Sequence, residues 1–261
     1  MTVSVGFTRI FVGCHRTAFR TQTIRQAAEL AGLMKLDLHG LFLEDEGLMA
    51  AALLPGLREF RMAGRTWQPM EADAVRRSMQ REAQLAEKLF SETAQAMRVA
   101  CRFEIARERI EEAVRLRFGR TDIVLVAEPK TPADRAGEAF RSWFAAASRS
   151  ASTVLYLPQR PVRSRGPVLA LAASPDDPSL AVARAIAAAV GEEFQAESLA
   201  VSDPVSALAV LPSHRERMLV ISRPVEALGE ALGESGEGEL TRLALARRVP
   251  VLLVPGPGEA S

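Results

Sequence analysis

Arg9-Ile10-Phe11-Val12-Gly13-Cys14-His15-Arg16-Thr17 near the start of the chain and Pro167-Val168-Leu169-Ala170-Leu171-Ala172-Ala173-Ser174 past its middle follow one pattern. In each, a short apolar run of the type buried on both faces ends in small or polar residues, then a hydroxyl, then a helical pattern. A parallel strand feeds a crossover helix in this way. The two stretches also lead to similar closing runs, Thr153-Val154-Leu155-Tyr156-Leu157-Pro158 and Pro250-Val251-Leu252-Leu253-Val254-Pro255. The chain therefore reads as a tandem α/β duplication of parallel sheets with flanking helices.

In the first copy a strand over 9–14 leads to a helix over 20–33, a strand over 36–43 and a short helix over 48–54 that Pro55 and Gly56 end or bend. A break is expected at Ala63-Gly64. The longest helical pattern, 69–98, carries Val75, Met79, Ala86, Leu89, Phe90, Thr93 and Met97 along one face. At ~1.5 Å per residue it would be roughly 40 Å long, about twice an ordinary strand, so part of it should overhang the sheet. Strands at 101–106, 122–127 and 153–157, with helices at 109–118 and 133–149, complete the copy. Pro158 to Pro167 has the proline, glycine and charge content of a linker, which places the domains at 1–160 and 161–261. The second copy is abbreviated: strands at 168–172, 194–201, 217–222 and 250–255, and helices at 178–190, 203–211 and 239–248. It leaves no room for both a long helix and a third strand. Asp177 is positioned to cap the 178–190 helix, with Pro178 in its first turn.

Composition bounds the function. The chain has 261 residues, 48% of them hydrophobic and 25% charged, with a formal net charge of +1. It can bury a sizeable core. The basic residues interleave with acids, so no field recruits nucleic acid. No apolar run reaches the ~18 to 20 residues of a membrane helix, and the first residues do not read as a secretory leader. No nucleic-acid partner, no membrane association and a cytoplasmic location are expected. The two cysteines, Cys14 and Cys101, fall at the exit of one strand and the entry of another and are read as packing residues.

Taken together, the strand-hydroxyl-helix openings, the closing Pro-Val-Leu-Leu-Val preceded by Ala-Arg-Arg, and the segment Leu41-Phe42-Leu43-Glu44-Asp45 followed by Leu53-Leu54-Pro55-Gly56-Leu57-Arg58-Glu59 resemble the universal stress protein family in its tandem form. The resemblance implies a flavodoxin-like sheet in each copy, with the site at the carboxyl ends of strands one and four, where the strand order reverses. Nucleotide-binding members carry an Asp at the end of the first strand. They also carry a Gly-x-x-Gly stretch after the fourth strand, followed by Gly-Ser or Gly-Thr opening a helix, where backbone N–H groups and the helix start receive phosphate.

This sequence departs from that pattern. The Asp position reads His15 in the first copy and Ala172 in the second. After the fourth strand the first copy has Ala127-Glu128-Pro129-Lys130, where Pro129 also removes a donor. The second copy keeps Gly233, Gly236 and Gly238 but spaces them with Glu234, Glu237 and Glu239, and carboxylates there oppose a polyanion. The expectation is two degraded nucleotide sites and no resident cofactor. Retention of ATP or AMP by one copy is the alternative.

The ligand-binding candidates are His15 and Thr17 at the first switch point, Ser174 and Ser222 at the strand exits of the second copy, and Gly236 and Gly238 in its loop. Each has a structural alternative: a turn or capping hydroxyl, an exposed loop histidine, a solvated turn. Glu44-Asp45-Glu46 reads as helix-start acids rather than a cation site. His39 and His214 lack a metal-ligating partner at zinc spacing, and no metal is expected. No nucleophile motif, complete phosphate loop or dinucleotide fingerprint is present, so no catalytic residue is assigned and a nucleotide hydrolase or transferase ranks last. The leading expectation is a noncatalytic, divergent tandem member acting as a stress-response or regulatory binding module. A small-ligand or nucleotide sensor is the alternative. The long helix 69–98, with Trp67 and Met70 beside it, is the expected surface for a homodimer or a protein partner.

Overall fold

The computed structural model describes residues 6–14, 21–44, 46–62, 64–150, 152–161, 163–198, 215–222 and 246–256. Its apolar runs form β1 (Arg9–Cys14), β2 (Asp37–Leu43), β5 (Cys101–Ala106), β6 (Asp122–Ala127), β7 (Thr153–Leu157), β8 (Val168–Ala172), β9 (Phe194–Ser198), β10 (Met218–Ser222) and β11 (Val251–Val254) of one sheet. Its strand order is β5-β2-β1-β6-β7-β11-β10-β8-β9. Every neighbouring pair is parallel except β7 with β11, where Tyr156 faces Val251 and Val154 faces Leu253. The sheet is thus two parallel halves joined edge to edge. The order reverses at β1/β6 in the first half and at β8/β10 in the second, the crevice positions of an open α/β sheet.

Alternation along the strands divides the core into two layers. Ile10 and Val12 of β1, Val168 and Ala170 of β8 and Val220 of β10 pack beneath α1 (Thr21–Met34), α3 (Ala72–Ala96) and α7 (Pro178–Val190). Phe11, Val124, Tyr156, Leu169 and Leu253 face the opposite way, and α4 (Ile110–Arg117) and α6 (Glu138–Arg149) cover the first half on that side. Both layers run unbroken through the β7–β11 join, and α1 touches α7 across it. No helix among the described residues is long and apolar enough to cross a membrane.

The amino ends of the sheet are fixed by two buried carboxylates. Asp122 accepts both arms of the Arg9 guanidinium at 2.8 Å and the Gly119 N–H at 2.8 Å. Glu216, just before β10, accepts both arms of Arg247 at 2.8 Å. Both carboxylates are fully buried, and an unpaired charge there would be strongly destabilising. The segment between β7 and β8 is pinned as well. Gly166 has φ 127°, and a Cβ there would lie 2.4 Å from the Arg215 carbonyl, so only glycine fits. Beside it the Arg217 N–H donates to the Pro167 carbonyl.

Three elements differ from the sequence reading. The 133–149 helix is two: α5 (Pro132–Ala136), opened by a Thr131/Asp134 capping box, and α6, separated by Gly137 in extended conformation. The short helix α2 starts earlier, at Glu46, and ends at Ala52. Ahead of the long helix, which starts at Ala72 rather than 69, β3 (Arg58–Arg61) and β4 (Thr66–Pro69) pair antiparallel as a two-stranded sheet of their own, and Ala63 of the expected break lies outside the described residues. The long helix does overhang. Ala83, Ala86, Phe90 and Ala94 of α3 lie on the main core, whereas Val75 and Met79, toward its start, pack with Ala52, Leu48 and Met49 of α2 and with Met70. The overhanging end is therefore partly covered by its own insertion, and Met70 is an inward residue. The short helix expected at 203–211 and most of 239–248 lie outside the described residues.

Two outcomes follow from this architecture. A fragment of residues 166–261 would expose the β11 edge and the faces that meet β7 and α1, so it is expected to self-associate or to melt without cooperativity. Gel filtration and calorimetry check this, and a monomeric, cooperatively melting fragment contradicts the shared core. His39 lies buried in β2 with its ring 5.1 Å from that of Phe11. Burial, and secondly the Arg9 charge, hold its pKa below the ordinary 6.5. The folded state then binds fewer protons than the unfolded chain, so stability falls as pH drops below 6.5 and the loss levels off below the folded pKa. In urea titrations, His39→Gln should flatten that slope below pH 6.5.

Candidate functional site

At the first switch point β1 ends on Cys14, beside the exit of β6. The sheet is sealed here on the α6 side. The Trp143 indole donates to the Leu125 carbonyl at 3.3 Å and lies so close to β1 that a Cβ on Gly13 would come within 2.6 Å of the ring. At the β6 exit, the Glu128 carboxylate accepts the Gln159 N–H at 2.8 Å and faces Arg135 of α5 at 3.4 Å. The Gln159 side chain donates to the Pro129 carbonyl, and the Gln159 backbone carbonyl accepts from the Gln22 side chain of α1 at 3.1 Å. These bonds tie the start of α1 to the exits of β6 and β7 around a narrow crevice of about 10 Å³. Behind it, the Tyr156 hydroxyl is buried. Burial, and then the Glu128 charge, push its pKa well above the ordinary phenol value, so it stays protonated.

The second switch point is built on Asp177. Its backbone N–H donates to the Ser174 carbonyl at 3.2 Å in the turn after β8, and Pro178 occupies the first turn of α7. This geometry turns the carboxylate back over the strand ends. It accepts the Ala173 N–H at 2.9 Å, the Ser179 N–H at 2.9 Å and the Ser222 hydroxyl at the end of β10. The Ser179 N–H also lies 3.2 Å from the Ser222 oxygen, and the Ser179 hydroxyl donates to the Leu171 carbonyl at 3.4 Å. Asp177 is buried. Burial alone would raise its pKa, but the bonds from Ser179, Ser222 and the Ala173 backbone outweigh it and hold the carboxyl below its ordinary value. An anion-receptive helix start is thus filled by the chain's own carboxylate.

Of the expected ligand residues, Ser222 is bonded to this carboxylate and Ser174 stands exposed in the same turn. His15, Thr17, Gly236 and Gly238 lie outside the described residues. Asp177 was legible as a helix cap. Its bond to Ser222 was not, because the partner lies 45 residues on in a different strand.

Solved structures supply the comparison. A universal stress protein from Archaeoglobus fulgidus DSM 4304 superposes with a TM-score of 0.56 at 11% identity, over 98% of this chain and 99% of that one. A protein from Pseudomonas aeruginosa UCBPP-PA14 assigned to the same family gives 0.53 at 14% identity, over 98% and 95%. The fold is that of the universal stress proteins. A functionally unknown protein from Pseudomonas aeruginosa PAO1 shares it, at a TM-score of 0.54 and 13% identity over 99% and 96% of the two chains. No protein-family model matches the sequence, and no curated protein matches it. Ala172, at the end of β8, is buried. The Asp177 carboxylate reaches that strand exit from the helix cap.

Asp177→Ala removes a cap and strands the Ala173 and Ser179 N–H groups. It should cost about 1–2 kcal/mol in urea denaturation at neutral pH. Because the folded pKa lies below 3.8, this stabilisation is complete above that value and disappears as pH falls through the folded pKa. The difference between wild type and variant should shrink in the same range.

Proposed function

We propose that the chain is a noncatalytic binding module of universal stress protein type, made of two copies at 1–160 and 161–261, with both nucleotide sites closed, and that it serves stress response or regulation through its surfaces. One observation carries this reading. At each point where the strand order reverses, a carboxylate of the chain already stands at the strand exits, Glu128 in the first half and Asp177 in the second. Like charges at ~4 to 6 Å cost of order 1 kcal/mol or more each when partly desolvated, so a triphosphate meets repulsion where the fold would otherwise receive it. The division into copies is supported by the sheet, whose halves run β5-β2-β1-β6-β7 and β9-β8-β10-β11 away from their outer edges. A homodimer or a protein partner engages the insertion side of α3.

A second reading is favoured by the hydroxyls around Asp177. An ionised carboxylate with Ser222 on it and Ser174 beside it suits a ligand carrying hydroxyl or amino groups, which would make the second copy a small-molecule sensor.

Titration calorimetry with ATP and AMP separates the two. The binding-module reading expects no saturable heat below millimolar ligand. Micromolar affinity, lost in Gly236→Val or Gly238→Val, would overturn it in favour of the sensor.

A further inference from the structure

Because β11 runs antiparallel to β7, β8, β9, β10 and β11 begin at the end of the sheet where β7 leaves it, beside the 158–167 tether. Arginines that the sequence scatters among acids are collected there. The carboxylates at the strand starts are engaged internally: Glu216 takes both arms of Arg247 at 2.8 Å, and Glu192 faces Arg217 at 3.4 Å. Arg163 of the tether donates to the Glu216 backbone carbonyl at 3.4 Å, and a Cβ on Gly166 would meet the Arg215 carbonyl, so the tether and the β10 start are held together. Among the described residues, Arg160, Arg163, Arg165, Arg215 and Arg248 form no ion pair. Arg163 is half-buried and the other four are exposed. Against them, among the described residues of these strand starts, Glu193 is the one unpaired carboxylate, so the corner holds more positive charge than the +1 of the whole chain. Like charges gathered without counter-ions weaken a compact fold, so stability gives no reason for the cluster.

We infer that this corner docks an acidic peptide segment of a partner protein. The surface is separate from the insertion side of α3 and does not depend on the nucleotide sites being closed. Charge complementarity sets the sign of the partner. The residue type narrows its chemistry, because a guanidinium fork matches a carboxylate through two parallel bonds, and the corner already shows that geometry in Arg247 with Glu216. The five free arginines are carried by three separate stretches, the tether, the β10 start and the β11 start, which spaces them for a run of carboxylates along a chain. Nucleic acid fits less well: single strands bind through aromatic side chains on which bases stack, and among the described residues no exposed aromatic stands at this corner.

Fluorescence anisotropy of a labelled oligoglutamate, titrated with the full chain, tests the inference. Wild type should bind it saturably at about 20 mM salt and about tenfold more weakly at about 200 mM. Arg160→Gln, Arg165→Gln and Arg215→Gln together remove exposed cations that form no ion pair. They should weaken binding about tenfold or more with an unchanged melting temperature. Lys35→Gln, Arg77→Gln and Arg98→Gln together remove as much charge from exposed positions on α3 and after the ends of α1 and α3, and should leave the affinity as it is. Absence of saturable binding by wild type at low salt overturns the proposal. An equal loss in both triple variants also overturns it, since binding would then follow net charge alone. Tighter binding of an oligothymidylate of the same length overturns the peptide and assigns the corner to nucleic acid. None of these outcomes bears on the nucleotide sites, which the ATP titration tests separately.

Discussion

Three residue pairs, Val154 with Leu253, Leu155 with Leu252 and Tyr156 with Val251, hold the molecule together as one body. A parallel half-sheet standing alone would leave β7 or β11 as an apolar edge, a hazard for uncontrolled pairing. Joined antiparallel, the two edges satisfy each other and the core layers on both faces become continuous. The remaining edges are β5 and β9, each with Arg or Glu side chains along it, Arg102 and Glu104 on one and Glu197 on the other. Charges on an edge discourage further strand addition, which suits the two ends of the nine strands formed by the described residues.

With the strands fixed, the chemistry at the switch points depends on what the connecting loops bring there. The two halves use different means. In the first, a glutamate at the exit of β6 is held by Gln159 and Arg135, and an indole fills the space behind β1. In the second, a helix cap folds its carboxylate back onto the strand exits and takes a serine from β10. Each carboxylate satisfies donors that would otherwise be available to an incoming anion. An external phosphate would have to displace hydrogen bonds already made and approach a like charge.

The strands were readable because a parallel strand buried on both faces leaves an uninterrupted apolar run, and Ile123-Val124-Leu125-Val126 or Val168-Leu169-Ala170-Leu171 admit little else. The hairpin escaped because Arg-Glu-Phe-Arg and Thr-Trp-Gln-Pro are too short, too charged and turned the wrong way to give the signal of a half-buried strand. The split at Gly137 had a local sign, Thr131-Pro132-Ala133-Asp134, which opens a helix too short to be told from the next by periodicity. At the candidate site the division is similar. The Asp177 cap is a property of neighbours in sequence and could be read, whereas its bond with Ser222, and the Trp143 ring against Gly13, come from the folding of distant segments onto adjacent strands.

The pinned connection between β7 and β8, with Gly166 locked against Arg215, has an evolutionary consequence. Two separate subunits joined through the same edge would have to share one sequence, and any change in one would appear twice. A short covalent tether replaces that encounter with an intramolecular one at an effective concentration of order millimolar. The join then survives dilution, and selection is released from symmetry. One half can carry an insertion with α2 and a hairpin without the same addition being imposed on the other.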